Sequence, residues 1–331
     1  MSDNFKALLV EQLEPKRFTR RIVTRSVDDL PAGELLVRVH WSSLNYKDAL
    51  SATGHPGVTR NFPHTPGIDA AGEVVDDASG RFKPGDQVIV TGFDLGMETD
   101  GGYGQLISIP SGWAIPLPSG LSPRESMTIG TAGLTAALSV HALIERGITP
   151  DAGEILVTGA TGGVGSVAVA LLARLGFNVT AATGKPEAAV FLTGLGASLI
   201  IPREEVTANV ERPMLKERWA GVVDCVGGET LVAAVKATRY GGSVTCCGLV
   251  GSIDLNLNVY PFILRGVSLL GIDSVQCPIP LRQTIWQKLA DSWKLPHLQQ
   301  LVAECPLEGL EEKIAAILKG QLQGRTVVKL D

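Results

Sequence analysis

The apolar positions of this chain follow two different rhythms. Up to about residue 124 they come in short runs, "KALLVEQ", "ELLVRVHW", "AAGEVV", "DQVIVTG" and "YGQLISIP", separated by Pro-Ala-Gly, Lys-Pro-Gly-Asp and Asp-Gly-Gly turns. Short apolar runs closed by turn residues predict strands, and their spacing predicts a small barrel or sandwich. From about residue 125, strands alternate with helices. "EILVTGA" (154–160) precedes the helical "VAVALLARLG", and "NVTAAT" (178–183) precedes "EAAVFLTGLGA". The strands "SLIIP", "AGVVDCVG", "GGSVTCCG" and "GVSLLGID" follow. That alternation predicts a parallel sheet covered on both faces. Beyond Asp273 come one helix, "LRQTIWQKLADSW", and a tail that reads strand–helix–strand.

Composition narrows the class. A chain of 331 residues exceeds one comfortable core and predicts two domains. A net charge of -5 lacks the basic excess of a nucleic-acid binder. The opening "MSDNFKALLVEQ" has too short an apolar run for a secretory signal, and "VAVALLA" at 167–173 falls far short of a membrane span. A soluble, cytoplasmic protein with no membrane or nucleic-acid partner is expected. Cysteines 225, 246, 247, 277 and 305 show no C-x-x-C spacing, so reduced thiols are expected rather than a disulfide framework or zinc cluster. Cys246 and Cys247 are read as core residues of a strand.

The most informative stretch is "EILVTGATGGVGSVAVALLARLG". A strand runs into Gly159-Ala-Thr-Gly162-Gly163-Val-Gly165, and an amphipathic helix follows at once. Glycines allow a tight turn and close backbone approach to a pyrophosphate, while the helix start offers unpaired N–H groups and a positive dipole end. The surrounding βαβ pattern supplies the context this motif needs. An NAD site usually carries an acid at the end of the second strand. Here "NVTAAT" ends in Thr183-Gly184-Lys185, and Arg203 follows the third strand. A hydroxyl and two cations suit a 2′-phosphate, so NADPH is the expected cofactor.

Taken in order, "NYKDAL", "PGIDAAGEV", "GTAGLTAALS", "VTGATGGVGS", "GIDSVQCP" and "GRTVVKL" resemble the medium-chain dehydrogenase/reductase superfamily. Within it they resemble the zinc-independent YhdH-type quinone oxidoreductases, which include acrylyl-CoA (acryloyl-CoA) reductases. The resemblance implies an α/β fold with a GroES-like β-barrel catalytic domain over 1–124, completed by 299–331. A Rossmann doubly wound parallel-sheet domain is inserted over 125–298, with NADP(H) in the cleft. Homodimers through the edge of the Rossmann sheet are also implied. Asn45 stands where zinc alcohol dehydrogenases have a ligand cysteine, and Ile68 where they have a ligand histidine. Neither supplies the donors of a tetrahedral zinc site, so no metal is expected; His55 and His64 are read as surface residues. By matching position, NADPH contacts are expected from Tyr46, Thr161, Gly162, Gly163, Val164, Thr183, Gly184, Lys185, Arg203, Leu249, Ile263 and Ser274. Where related sequences often read Asn-Gln-x-x-Gly-Arg, this chain has Gly320-Gln321, so no side-chain contact is expected from position 320.

These features point to hydride transfer from NADPH to the β-carbon of a short α,β-unsaturated acyl-CoA, followed by protonation at the α-carbon. A quinone or enone substrate is the alternative, and a non-catalytic NADPH-binding sensor is the reading from another class. Tyr46 is the catalytic candidate, since a protonated phenol can donate a hydrogen bond or a proton, and ordering the nicotinamide is the role expected of it first. Asn45 and Asp48 have the spacing of a capping box, with Gly54 closing the short helix, and Lys47 is read as a solvated or substrate-edge cation. Thr131 and Thr135 in "GTAGLTAAL" are candidate cleft residues, although a helical threonine more often packs or bonds back to its own helix. Arg60, Arg265 and Arg282 are the candidates for pairing coenzyme A phosphates.

Overall fold

A computed structural model describes residues 4–331. The chain divides into two compact units, one of Met1–Thr131, Val275–Asp291 and Leu301–Asp331, the other of Ala132–Ser274 and Ser292–Gln300.

In the first unit, β1 (Asn4–Glu14) and β2 (Arg17–Ser26) form an antiparallel ribbon. β3 (Leu35–Leu44) alternates in burial, with Leu35, Val37 and Val39 inward and Arg38 outward, as a half-buried strand should. After β3 the short helix α1 (Tyr46–Ala52) begins, and Gly54, at φ 72°, turns the chain away from its end. β4 (Asp69–Asp77), β5 (Gln87–Thr91), β6 (Leu106–Ile109) and β7 (Ala114–Pro116) then join β3 in one antiparallel system. Pro123–Glu145 (α2) is helical on both sides of Gly130, whose φ of 53° and ψ of -162° break it. This helix is long and apolar enough to cross a membrane by composition, but 83% of its apolar window is buried inside the protein.

The second unit holds β8 (Glu154–Val157), β9 (Asn178–Thr183), β10 (Leu199–Pro202), β11 (Trp219–Asp224), β12 (Thr238–Cys246) and β13 (Ser268–Gly271). All pair in parallel, in the order β10-β9-β8-β11-β12-β13. That is the dinucleotide-binding order, which reverses direction between β8 and β11. Helices α3 (Gly163–Arg174), α4 (Ala189–Gly194), α5 (Arg203–Thr207), α6 (Gly228–Ala237) and α7 (Tyr260–Arg265) connect the strands. β8 and β11 are apolar at nearly every position because both of their faces are covered.

The chain then returns to the first unit through α8 (Ile279–Ala290), whose segment 275–291 belongs there. β14 (Val302–Pro306), α9 (Leu310–Leu318) and β15 (Arg325–Lys329) complete it. β15 pairs antiparallel with β3 and parallel with β14, giving the seven-stranded sheet β14-β15-β3-β4-β5-β7 with β6 also on β3. Its core gathers Val37, Leu44, Ile107 and Val328 with Leu310 and Ile314 of α9.

Candidate active site

In the first unit, three neighbouring strands meet at one rim. The end of β3 lies beside the starts of β4 and β15 because both neighbours run antiparallel to it. This brings Ser43, Asn45, Asp69 and Arg325 together, all buried, with Asp48 and Tyr103. Asp69 accepts from the Thr131 N–H at 2.9 Å, the Thr131 hydroxyl at 2.6 Å, the Ser43 hydroxyl and the Asn45 amide at 2.8 Å. Arg325 stands 3.7 Å from Asp69 Oδ2 and donates to the carbonyls of Thr128 and Leu44, to Asn45 Oδ1 and to Ser43 Oγ. Each buried charge thus has an opposite charge nearby and hydrogen bonds to its remaining positions, which is the condition for burying an ion pair.

The expected capping box is present, with Asp48 Oδ2 accepting the Asn45 N–H at 2.7 Å. Both residues do more than cap. The Asn45 side chain bridges Asp69 and Arg325, and Asp48 Oδ1 accepts the Ile68 N–H at 2.8 Å. Burial, reinforced by the Asp69 carboxylate, pushes Asp48 up to about 7. Burial also pushes the Tyr103 phenol well up and the Arg325 guanidinium down. Tyr46, the first residue of α1, is the network's exposed neighbour, with 39% of its surface open.

The second unit carries the glycine loop. Gly159 has φ 58°, and Gly162 stands at the cap of α3. A Cβ on Gly165 would collide with the Gly159 carbonyl and Ala160, so only glycine lets the helix start pack this closely on the turn. Thr161, Gly162, Gly163 and Val164 therefore form a cradle at the carboxyl end of β8. Thr183, Gly184 and Lys185 lie at the end of β9, where the Thr183 hydroxyl accepts the Lys185 N–H at 3.0 Å. Arg203 opens α5, and a Cβ on Gly184 would stand 2.9 Å from its Nε. Both cations thus lie at the β9–β10 edge. Leu249 follows β12 on the wall of a cavity of 660 Å³ shared with Gly227, Leu231, Cys247 and Asp273. Ser274 follows β13 and accepts from the Thr135 hydroxyl at 2.7 Å. Ile263 lies on α7, 68% exposed, and does not line that cavity.

Several expectations are corrected. The Thr131 hydroxyl donates to Asp69 at 2.6 Å and the Thr135 hydroxyl to Ser274 at 2.7 Å, so each reaches beyond its own helix. His64 is buried, with Nε2 2.9 Å from the Gly96 carbonyl, and is not a surface residue. Arg282 is 1% exposed and donates to the carbonyls of Thr91, Val275 and Cys277. Arg265 donates to those of Leu215, Lys236 and Thr238. Both arginines tie loops together and present no guanidinium to a phosphate; Arg60 remains exposed. Cys246 and Cys247 are half-buried where β12 ends and both line the cavity; Cys246 also packs against the core of the second unit, as expected, and Cys247 is not part of that core.

A GroES-like first unit and a Rossmann-type second unit with a glycine-rich cradle define a medium-chain dehydrogenase/reductase. Comparison with known proteins agrees: residues 31–119 match the alcohol dehydrogenase GroES-like domain, and 163–291 the zinc-binding dehydrogenase domain. The acrylyl-CoA reductase AcuI of Ruegeria pomeroyi is 46% identical over 99% of both chains. The putative quinone oxidoreductase YhfP of Bacillus subtilis is 45% identical over the whole of both. Its crystal structure with NAD bound superposes with a TM-score of 0.96 over 99% of this chain and 100% of that one. The yhdH oxidoreductase of Salmonella enterica, solved in complex with NADP, is 43% identical with a TM-score of 0.95, over 98% of this chain and 100% of that one. The chain belongs to this acrylyl-CoA reductase and YhdH-type quinone oxidoreductase family, and it is an oxidoreductase.

One domain match is named for zinc, and the residues do not fit that metal. Ile68 offers no donor, the Asn45 amide is engaged on both sides, and both Asp69 oxygens already accept from Thr131. Among the described residues no group of three or more His, Cys, Asp or Glu is placed to hold a metal ion.

Proposed function

We propose that the protein is an NADPH-dependent reductase of the C=C bond in a short α,β-unsaturated acyl-CoA, of the acrylyl-CoA type. The observation that carries this reading is the rim of β3, β4 and β15. Where zinc dehydrogenases hold a metal to polarise an alcohol or carbonyl, this chain has Asn45, Ile68 and Asp69 inside a closed hydrogen-bond network. A thioester-activated alkene needs no such polarisation. The name of the Ruegeria relative supports the substrate class.

When bound, NADPH supplies the hydride that adds to the β-carbon. The cradle Thr161–Val164 and the start of α3 hold the pyrophosphate, and Lys185 and Arg203 take the 2′-phosphate. Leu249, Ile263 and Ser274 complete the cofactor contacts by family position. Tyr46, exposed at the start of α1, would order the reacting end of the cofactor, with its phenol Oη–H available to donate to an enolate oxygen. The helix start that carries Tyr46 is held in place, because the capping box of α1 is tied to Asp69 and Arg325. The five free thiols support a cytoplasmic location. A homodimer through β13 is part of the same reading. That strand ends the sheet, and Leu249, Val250, Ile253, Val259, Ile263 and Leu264 near it are each more than half exposed.

Following NADPH and NADH oxidation with acrylyl-CoA, crotonyl-CoA and a simple quinone in parallel tests the proposal. Turnover of the thioesters with NADPH preferred is expected, and Tyr46→Phe should lower it by roughly 10–100-fold. Oxidation by the quinone alone would favour the second reading, which the name of the Bacillus relative supports. Tight NADPH binding with no oxidation would favour a sensor.

A further inference from the structure

We propose that Cys225 and Cys247 form a redox-active dithiol, open to peroxide-class oxidants, whose disulfide weakens dinucleotide binding by the second unit. The inference rests on the cofactor reading above for its consequence, and on geometry alone for its chemistry.

Asp224 and Cys246 are paired across the parallel strands β11 and β12, so Cys225 and Cys247 follow one residue later on neighbouring strand ends. Adjacent strands run about 4.8 Å apart, inside the Cα separation of roughly 4.4–6.8 Å that a disulfide spans. Residues at matching positions of paired strands face the same side, and the two sulfurs stand 4.0 Å apart. Cys246, one residue before Cys247, also borders the cavity but packs against the core of the second unit, and among the described residues no hydrogen bond joins its sulfur to Cys225. Cys247 lines the cavity at the strand ends, where a small oxidant can reach it, and its thiol lies against the Asp224 carbonyl and the Cys225 sulfur, to which it donates; contact with Cys247 and burial push the Cys225 thiol well up. The Cys247 sulfur attacks the peroxide and breaks its O–O bond, giving a sulfenic acid, and the proton of the Cys247 thiol goes to the departing hydroxide as water. The Cys225 sulfur then attacks that sulfur, the S–O bond breaks, and the Cys225 proton leaves with the hydroxide as a second water. Two thiols lose two electrons and the peroxide gains them.

The consequence follows from what Cys225 carries. Its backbone N–H donates to Thr158 Oγ1 at 3.0 Å, and that hydroxyl donates to Asp224 Oδ1 at 2.7 Å. Asp224, fully buried, also accepts the Gly227 N–H at 2.8 Å, and the Cys247 N–H donates to the Asp224 carbonyl. Thr158 immediately precedes Gly159 of the phosphate cradle. This buckle therefore joins the ends of β8 and β11 at the point where the strand order reverses, the place a dinucleotide crosses such a sheet. Drawing the sulfurs together to about 2.05 Å moves the strand end that holds the buckle.

The test treats the full-length protein with hydrogen peroxide, maps peptides by mass spectrometry and measures NADPH binding by fluorescence. A Cys225–Cys247 cystine and at least tenfold weaker NADPH binding, both reversed by dithiothreitol, are expected. Cys225→Ser and Cys247→Ser should bind NADPH as the untreated protein does and resist peroxide, while Cys246→Ser should behave as wild type. A map without the 225–247 link, or with Cys246 in it, overturns the site. A link that leaves affinity unchanged overturns the coupling. Reduced protein that fails to bind NADPH overturns the cofactor reading instead, and the peptide map still decides the dithiol.

Discussion

Asp69 is a carboxylate with no exposed surface, and its environment accounts for that: a guanidinium, two hydroxyls, an amide and a helix-start N–H surround it. Asp48 has fewer such partners and a second carboxylate nearby, which is why burial raises it to about 7. Folding then takes up a proton between roughly pH 4 and 7, where the unfolded side chain is already ionised. Asp48 therefore favours the fold least above its raised value, and stability should fall as pH rises through that window, by at most about 1.4 kcal/mol per pH unit. Asp48→Asn should be less stable overall yet lose that slope, as urea titrations across the window would show. An unchanged slope would mean that Asp48 is ionised throughout. Asn45, Tyr46 and Asp48 were all legible in "NYKDAL". Asp69 was visible only as an aligned position, and Arg325 only as a letter in "GRTVVKL". A buried ion pair between residues 256 apart in sequence leaves no local signal.

At the scale of elements, the break in α2 matters most. Gly130 combines a backbone conformation that only glycine adopts readily with a packed neighbourhood: an added Cβ would stand 2.5 Å from Asp69 Oδ2 and 2.7 Å from Arg325 Nη2. The break starts a fresh helical turn at Thr131, whose N–H caps onto Asp69. Gly130→Ala should cost more than about 2 kcal/mol, adding a clash to roughly 1–3 kcal/mol of backbone strain. Gly147→Ala is the control, since its φ of 81° is also positive but nothing lies within 4 Å of an added Cβ. Thermal melts should show the first variant clearly less stable than the second; equal losses would reduce Gly130 to a turn residue. The strands of the second unit were readable because apolar runs stopped sharply at glycines, and "NVTAAT" spans the whole of β9. β2 was not, because "RFTRRIVTRS" lies on a two-stranded ribbon with no fully buried position and so carries no apolar rhythm.

For the whole molecule, the exposed apolar residues around β13 make self-association the prediction to check. Sedimentation should find a dimer, and Ile263→Glu, placing a charge on a 68% exposed apolar position, should shift it toward monomer while leaving the fold intact by circular dichroism. A monomeric wild type would remove the edge interface. The sequence by itself determined the class of architecture, the glycine loop after β8 and the two cations at the strand ends, because strand rhythm, glycine spacing and strand-end residues are all local. Only the tertiary structure decided which polar residues share a buried site. It closed Asn45, Asp48, Asp69, Thr131 and Arg325 into one network, turned Arg282 and Arg265 into struts, and set Cys225 against Cys247. The long-range contacts among these join segments far apart in the sequence, and which distant segments meet is a property of the folded molecule rather than of any one stretch of chain.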